Sequence, residues 1–155
     1  MTGGYVNIIF ILLKAHQEIK AVILDTQKVI ESIGDKLNSV SYEVLIPNMD
    51  KITNLVINHF KKEEQEIIPL LQQMYNPKVE IAQYVKDEHM YIEKELDYLL
   101  SSLSSLRHIS MDVNSNTVSR LQGVFEEMMV HFFEEENGLY PLVQGYITST
   151  KEKTP

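Results

Sequence analysis

Cysteine and tryptophan are both absent from this chain of 155 residues, and glycine occurs only six times. Without cysteine the chain can form no disulfide and no thiolate metal site, and it has no cysteine nucleophile. The absence fits a reducing compartment, and we expect the protein to be cytoplasmic. With glycine scarce and Leu, Ile, Glu and Lys abundant, the composition favours helices.

Basic residues are fewer than acidic residues. Lys and Arg number 14 against 22 Asp and Glu, which gives a net charge of −8, and no block of basic residues is present. Such a surface would repel a nucleic-acid backbone. We therefore do not expect DNA or RNA as a partner.

The chain has no apolar run of membrane-spanning length. Val6 to Leu13 is apolar apart from Asn7, but it is too short to cross a bilayer and lacks the basic start of a signal peptide. We interpret it as the first turns of a buried helix and expect no membrane partner. The solvent faces carry no decisive apolar patch, which leaves the oligomeric state open.

Apolar residues recur at helical spacing over four stretches, and turn-forming residues separate them. The pattern predicts helices at about 5–33, 44–74, 77–107 and 117–146. Gly34 offers a stop for the first helix, and Pro77 can open the third. No alternating strand pattern competes. The expected fold is all-α, a single domain over residues 1–155 that forms an antiparallel up-down four-helix bundle.

Three prolines fall within these helices. Pro47 fits the first turn of the second helix if that helix begins late. Pro69 and Pro141 lie in helix interiors, where each should kink or end its helix, at a cost of about 3 kcal/mol in an ordinary interior. The polar tail from residue 148 to 155 is expected to be frayed.

One motif occurs twice, 72 residues apart, beginning at His59 and at His131. Each copy reads His-Phe, then Glu-Glu at the fourth and fifth residues after the histidine, then Pro-Leu at the tenth and eleventh. Residues i and i+4 share one face of a helix, about 6 Å apart along its axis. Each copy therefore places an imidazole beside a carboxylate, that of Glu63 in the first copy and of Glu135 in the second.

Each predicted helix carries one histidine on its apolar seam: His16, His59, His89 and His131. In an antiparallel bundle, residues at one height are equidistant from the turn that joins their helices. The midpoints of consecutive pairs fall between Leu37 and Asn38, at Met74 and at Ser110. Composition predicts a turn at all three places, so the four histidines should lie in one layer with both glutamates one turn on.

A lone histidine on an apolar seam is more often a hydrogen-bonded core residue than a ligand. A buried glutamate is almost never unpaired, because isolated buried charge is costly. Two seam glutamates beside four level histidines therefore predict a pair of divalent metal ions. Donors of this kind without sulfur suit iron, manganese or zinc. Two imidazoles per ion leave coordination positions open to oxygen-derived ligands, nitric oxide or water.

Several nearby carboxylates are weaker candidates. Glu93 follows His89 by four residues and is a candidate additional ligand, or equally an acceptor of a ligand's hydrogen bond. Glu64 and Glu136, at the fifth position of the motif, are expected to be solvated or to accept such hydrogen bonds. We prefer Glu135 to Glu136 as a ligand because it mirrors the first copy.

Two further residue types lie close to the motifs without an assigned role. Glu88 points about 100° away from His89 on its helix. It could line an entry path to the layer, but we favour an ordinary surface charge. Tyr91 and Tyr140 are the tyrosines nearest the motifs in sequence. The pattern assigns no chemistry to either of them.

The pattern His16 … His59-x3-Glu63 … His89-x3-Glu93 … His131-x3-Glu135 resembles the hemerythrin-like, or HHE cation-binding, family from about Tyr5 to Tyr146. The resemblance implies a four-helix bundle with two non-haem iron ions, usually joined by an oxo or hydroxo bridge. It also implies the iron ligands, which would be His16, His59, His89 and His131, with Glu63 and Glu135 as bridging carboxylates.

The chain departs from the oxygen-carrying hemerythrins in its ligand pattern. Those have His-x3-His in the third helix, where this chain has His89 and Glu93, and an aspartate five residues after the last histidine. The ligand spacing is more similar to the di-iron domain of iron–sulfur cluster repair proteins, which respond to nitric oxide and oxidative stress. Those proteins often carry a cysteine-bearing domain that this chain lacks.

Three functions follow from these expectations. The first is a module that binds or senses oxygen or nitric oxide at an open di-iron site. The alternative is a stress-response enzyme or iron–sulfur cluster repair factor that reduces nitric oxide or peroxide, or donates iron. The third is an iron-handling or signalling protein whose fold depends on metal. The residues leave open whether the protein is an enzyme.

Overall fold

The computed structural model describes residues 4–34, 39–74, 77–112 and 115–153. The elements in chain order are α1 (Gly4–Ile33), α2 (Ser39–Glu66), α3 (Ile68–Gln73), α4 (Pro77–His108), α5 (Ser115–Glu134), a π-helical segment (Glu135–Leu139) and α6 (Tyr140–Glu152). All regular structure in these ranges is helical. None of these helices combines the length and the apolar character needed to cross a membrane.

Four helical units make up the bundle, because α3 follows α2 after one residue and the π segment joins α5 to α6. Contacts connect α1 to α2, α2 to α4, α4 to α5 and α5 back to α1. The units therefore form a square, with α2 and α5 on one diagonal. The predicted all-α four-helix bundle is confirmed.

The core consists of two apolar clusters with a polar layer between them. One cluster takes residues from every unit, for example Ile23, Met49, Leu99 and Phe125. The other also takes residues from every unit, for example Leu12, Leu71, Val85 and Val143. In sequence, His16 and His89 fall between residues of the two clusters, and so do Glu63 and Glu135. An antiparallel bundle with level turns produces this arrangement, because each unit crosses the layer once.

Helix α2 differs from its predicted bounds at both ends. It begins at Ser39, before the predicted start near residue 44, and Pro47 therefore lies inside it. The ring of Pro47 is on the exposed side, where a carbonyl left without its N–H donor can be hydrated. The predicted single helix over 44–74 is interrupted at Ile67, and α3 begins with Pro69 in its first turn, where the missing N–H matters least.

Pro141 is accommodated by a change of winding. Before it, the chain forms the π segment, in which the backbone N–H of Tyr140 donates to Glu135 O, five residues earlier. Pro141 then lies in the first turn of α6. The interruption expected at this proline is present, and it takes the form of one inserted residue in an otherwise continuous helix.

Other helix ends follow local backbone chemistry. Gly34 has a φ of +68° and donates its N–H to Ile30 O at 3.2 Å, as the predicted helix stop requires. At the end of α4, Ser110 has a φ of 53°, and Met111 N–H donates to Leu106 O. Helix α6 runs to Glu152, so most of the tail predicted to fray is helical. The predicted first turn, with its midpoint at residues 37–38, lies outside the described residues.

Candidate metal centre

The polar layer contains all six side chains that the sequence predicts as donors, and every one of them is buried. They form two overlapping groups in which the donor atoms lie within 4.8 Å of one another. We call the first the His16–His59 half and the second the His89–His131 half. Both halves include Glu63 and Glu135, which are shared between them.

Glu135 reaches both halves with a different oxygen atom. Its Oε2 lies 3.0 Å from His16 Nε2 and 3.8 Å from His59 Nε2. Its Oε1 lies 2.7 Å from His131 Nε2 and 3.7 Å from His89 Nε2. A carboxylate placed in this way can donate one oxygen to each of two cations.

Glu63 faces both halves through a single oxygen. Its Oε2 lies 3.2 Å from His89 Nε2 and 3.6 Å from His59 Nε2. Its Oε1 accepts a hydrogen bond from the hydroxyl of Tyr140. The two shared carboxylates are therefore not equivalent, although the sequence motif presents them in the same way.

Many of the buried polar atoms of the layer have no hydrogen-bond partner among the described residues: His59 Nδ1, Glu63 Oε2, His89 Nε2, His131 Nε2 and Glu135 Oε1. Four of these atoms, all except His59 Nδ1, are donor atoms that converge in the layer. They lie close to one another, but their geometry is not that of hydrogen bonds. Leaving such groups unsatisfied costs about 1–3 kcal/mol each. A cation held among them would satisfy all four, so the donor set fits a metal.

Three of the four histidines also form a hydrogen bond through Nδ1, the ring nitrogen that does not contact Glu63 or Glu135. In each case the N–H donates to a further carboxylate. His16 Nδ1 is 2.8 Å from Glu136 Oε1, and His89 Nδ1 is 3.0 Å from Glu64 Oε1. Because a carboxylate only accepts, each Nδ1 is the donor, and the lone pair of each Nε2 is directed into the layer. Metal-binding histidines are held in this tautomer by the same kind of partner.

The third carboxylate of this kind is Glu88, whose Oε2 lies 2.9 Å from Nδ1 of His131. The interpretation of Glu88 as an ordinary surface charge is wrong. It considered only the direction of Glu88 relative to His89 on the same helix, whereas Glu88 turns toward the neighbouring α5. No signal along one helix identifies such a partner.

The layer has strong internal electrostatics. Burial would raise the pKa of Glu135, but the close imidazoles, that of His131 first, outweigh burial and hold it well below the usual value. Burial alone would lower the pKa of His89, but Glu135 and then Glu63 raise it to about 10. The same competition, with Glu135 opposing burial, raises the pKa of His131. The carboxylates thus attract positive charge, which protons or a cation can supply.

Glu93 is in neither donor group within the described residues, although it has the same spacing after its histidine as Glu63. It is half-buried, and burial followed by the nearby Glu64 carboxylate raises its pKa. The hydrogen bond from His89 Nδ1 goes to Glu64. The same spacing of four residues after a histidine therefore places Glu63 in the donor layer and Glu93 outside it.

Tyr140 is a residue of the layer to which the sequence analysis assigned no role. It is 2% exposed, and burial together with the Glu63 and Glu135 carboxylates raises its pKa far above the usual value. It stands immediately before the proline of the second motif copy, where the first copy has Ile68. This substitution of a hydroxyl-bearing residue for an aliphatic one is the signal that could have identified it.

The phenylalanine of each His-Phe pair forms a wall of the layer. Phe60 stacks on His89, with ring centroids 3.8 Å apart and an interplanar angle of 6°. Phe132 stacks on His16, with centroids 4.3 Å apart and an angle of 29°. Each copy of the motif thus supplies two candidate donors, a histidine and a glutamate, and one ring that packs on a histidine of another helix.

A four-helix bundle with a buried layer of histidines and shared glutamates defines a class of non-haem metal-binding proteins. Comparison with protein families identifies which one. The model of the hemerythrin HHE cation binding domain matches residues 7–143, and the chain belongs to this family. No curated protein and no solved structure matches the chain. The protein is accordingly a metal-binding, hemerythrin-like protein.

Proposed function

We propose that this protein holds two non-haem iron ions and binds or senses a small diatomic ligand, oxygen or nitric oxide. The proposed ligands are His16, His59, Glu63, His89, His131 and Glu135. The observation that carries the proposal is the position of Glu135, which offers one carboxylate oxygen to each half of the layer.

Bound ferrous ions would supply open coordination positions for the diatomic ligand. The protein's own residues do the rest. Glu136, Glu64 and Glu88 orient three of the imidazoles. Phe60 and Phe132 stack on two of the rings and exclude water from them. Glu93 is outside the proposed ligand set. The cytoplasmic location of the protein stays a prediction.

Anaerobic reconstitution with ferrous iron tests the proposal. We expect two iron ions per chain and a new visible absorption band on exposure to air or to nitric oxide. Glu135→Gln keeps the size of the side chain but removes its charge, and we expect it to lose iron. Glu134→Gln is the matched control, because the neighbouring Glu134 is exposed and outside the donor set.

The outcomes of this experiment separate the candidate functions. Reversal of the spectral change when the gas is removed supports a binding or sensing protein. Irreversible oxidation, or consumption of nitric oxide or peroxide with an electron donor, supports the alternative of a stress-response enzyme or repair factor. Fewer than one metal ion per chain without a spectral change would contradict the di-iron proposal altogether.

A further inference from the structure

The hydroxyl of Tyr140 lies on one side of the donor layer. It donates to Glu63 Oε1, and it is 3.1 Å from His16 Nε2 and 3.5 Å from Glu135 Oε2. Its ring is stacked against the imidazole of His16, with centroids 5.4 Å apart. The oxygen of Glu135 that it approaches is the one that faces His16 and not the one that faces His131. The hydroxyl therefore belongs to the His16–His59 half.

The His89–His131 half has no comparable hydroxyl among the described residues. At the matching position of the first motif copy stands Ile68, which is buried in the apolar core. The two copies otherwise present the same residue types to the layer, so this difference between Tyr140 and Ile68 contributes to its asymmetry. One half has an additional oxygen atom among its donors, and the other does not.

An apolar cavity lies against the half that lacks the hydroxyl. It has a volume of about 340 Å³ and a predominantly apolar surface. Its lining combines aliphatic side chains, among them Val85 and Leu142, with the polar residues Tyr84, Glu88, His131, Glu134 and Glu135. His131 Nε2 and Glu135 Oε1 are both buried and without a hydrogen-bond partner among the described residues. The cavity thus borders two residues whose buried donor atoms belong to the His89–His131 half.

We propose that Tyr140 makes the two halves of the centre inequivalent, so that a diatomic ligand enters through the apolar cavity and binds only at the His89–His131 half. This inference rests on the proposed function and adds a place and a route to it. The hydroxyl takes space beside His16 that a further ligand would need. Oxygen and nitric oxide are small and nearly apolar, and a passage with a predominantly apolar surface favours them over ions and large polar molecules.

The first test counts nitric oxide. Ferrous protein that carries two iron ions per chain is titrated with nitric oxide, and we expect one molecule bound per chain. Tyr140→Phe keeps the ring against His16 and removes only the hydroxyl, so the number should rise to two. Tyr91→Phe is the matched control, because Tyr91 is exposed and outside the donor layer. It should leave the number at one.

The second test fills the cavity. Val85→Phe adds bulk to its wall, and we expect the association rate of nitric oxide to fall by roughly tenfold, within the range that variants of one binding site cover. The number bound should not change. Val44→Phe, at an exposed position of α2, controls for the substitution itself. If Val85→Phe does not fold, Leu142→Phe fills the same cavity from α6.

A third measurement does not need iron. Zinc binding to the metal-free protein should perturb the ultraviolet absorption of Tyr140, because its hydroxyl contacts the donors His16 and Glu63. Tyr140→Phe should abolish this difference signal, and Tyr91→Phe should retain it. The protein contains no tryptophan to mask the tyrosine absorption.

Failure of this inference is distinguishable from failure of the di-iron proposal. A protein that binds no iron contradicts the proposed function. A protein that binds two iron ions but takes up two molecules of nitric oxide, or that responds identically in Tyr140→Phe and Tyr91→Phe, retains the centre and overturns the inequivalence. Equal association rates in Val85→Phe and Val44→Phe overturn the route.

Discussion

Glu88 on α4 accepts a hydrogen bond from His131 on α5, with 2.9 Å between Glu88 Oε2 and His131 Nδ1. Its other oxygen accepts a hydrogen bond from the hydroxyl of Tyr84 at 2.8 Å. Tyr84 is about half exposed, whereas His131 is buried. A hydrogen-bonded chain of three side chains therefore connects solvent to the metal centre across the α4–α5 boundary.

The first prediction concerns this carboxylate. Glu88→Gln removes the charge that fixes the tautomer and orientation of His131, and loss of such a partner typically weakens metal binding by about 10–100-fold. Competition with a coloured chelator measures the affinity for ferrous iron. Glu126→Gln, at an exposed position of α5, should bind iron like the unmodified protein. Equal affinities in the two variants would show that Glu88 does not support His131.

The second prediction concerns removal of the metal. The layer holds buried carboxylates and imidazoles whose converging atoms lack partners, so a bound cation should stabilise the fold. At a free metal concentration 100 times the dissociation constant, one site adds about 2.7 kcal/mol to the free energy of unfolding. Thermal unfolding followed by circular dichroism, with ferrous iron or with a chelator, measures the difference.

Glu135→Leu provides the control for that experiment. It removes the carboxylate shared by both halves, so the unfolding temperature of this variant should not respond to the chelator. If the unmodified protein is equally indifferent to the chelator, the layer is a structural polar cluster. In that case Glu135→Leu should destabilise the fold, because it leaves the imidazoles whose pKa Glu135 raises, those of His89 and His131, without a counter-charge.

The sequence predicts a large part of this architecture, and the reason is geometric. Helical periodicity places a residue on a face, and the midpoint of two residues places both at one height in an antiparallel pair. Face and height together are sufficient to predict that His16, His59, His89 and His131 meet, and the structure brings them together. Both quantities can be read along the chain without knowledge of any side-chain contact.

Tyr140 could not be predicted in this way, because its position depends on the winding of the π segment. In a regular α-helix, five residues at about 100° each would place Tyr140 roughly 140° away from Glu135. The π segment instead joins Tyr140 N–H to Glu135 O and brings the two side chains onto one face. The partner of Glu88 cannot be predicted for a different reason, since it lies on another helix.

The third prediction compares two adjacent phenylalanines. Phe132 is fully buried against His16, whereas Phe133 is 64% exposed. Phe132→Ala should lower the free energy of unfolding of the metal-free protein by about 3–5 kcal/mol, because it opens a cavity in the core. Phe133→Ala should change it by no more than about 0.5 kcal/mol. Urea titrations of both variants measure these values, and similar losses would contradict the burial assignment.

The fourth prediction concerns two glycines that both have open space around them. An added Cβ would meet no atom within 4 Å at Gly34 or at Gly145, so packing does not distinguish them. Gly145 lies within α6, and Gly145→Ala should raise the free energy of unfolding by up to about 1 kcal/mol, the difference in helix propensity. Gly34 has a φ of +68°, a conformation that an L side chain resists. Gly34→Ala should therefore lower the free energy of unfolding by about 1–2 kcal/mol. Urea titration of the two variants should give changes of opposite sign. Stabilisation by both substitutions would mean that α1 does not end at Gly34 in the left-handed conformation.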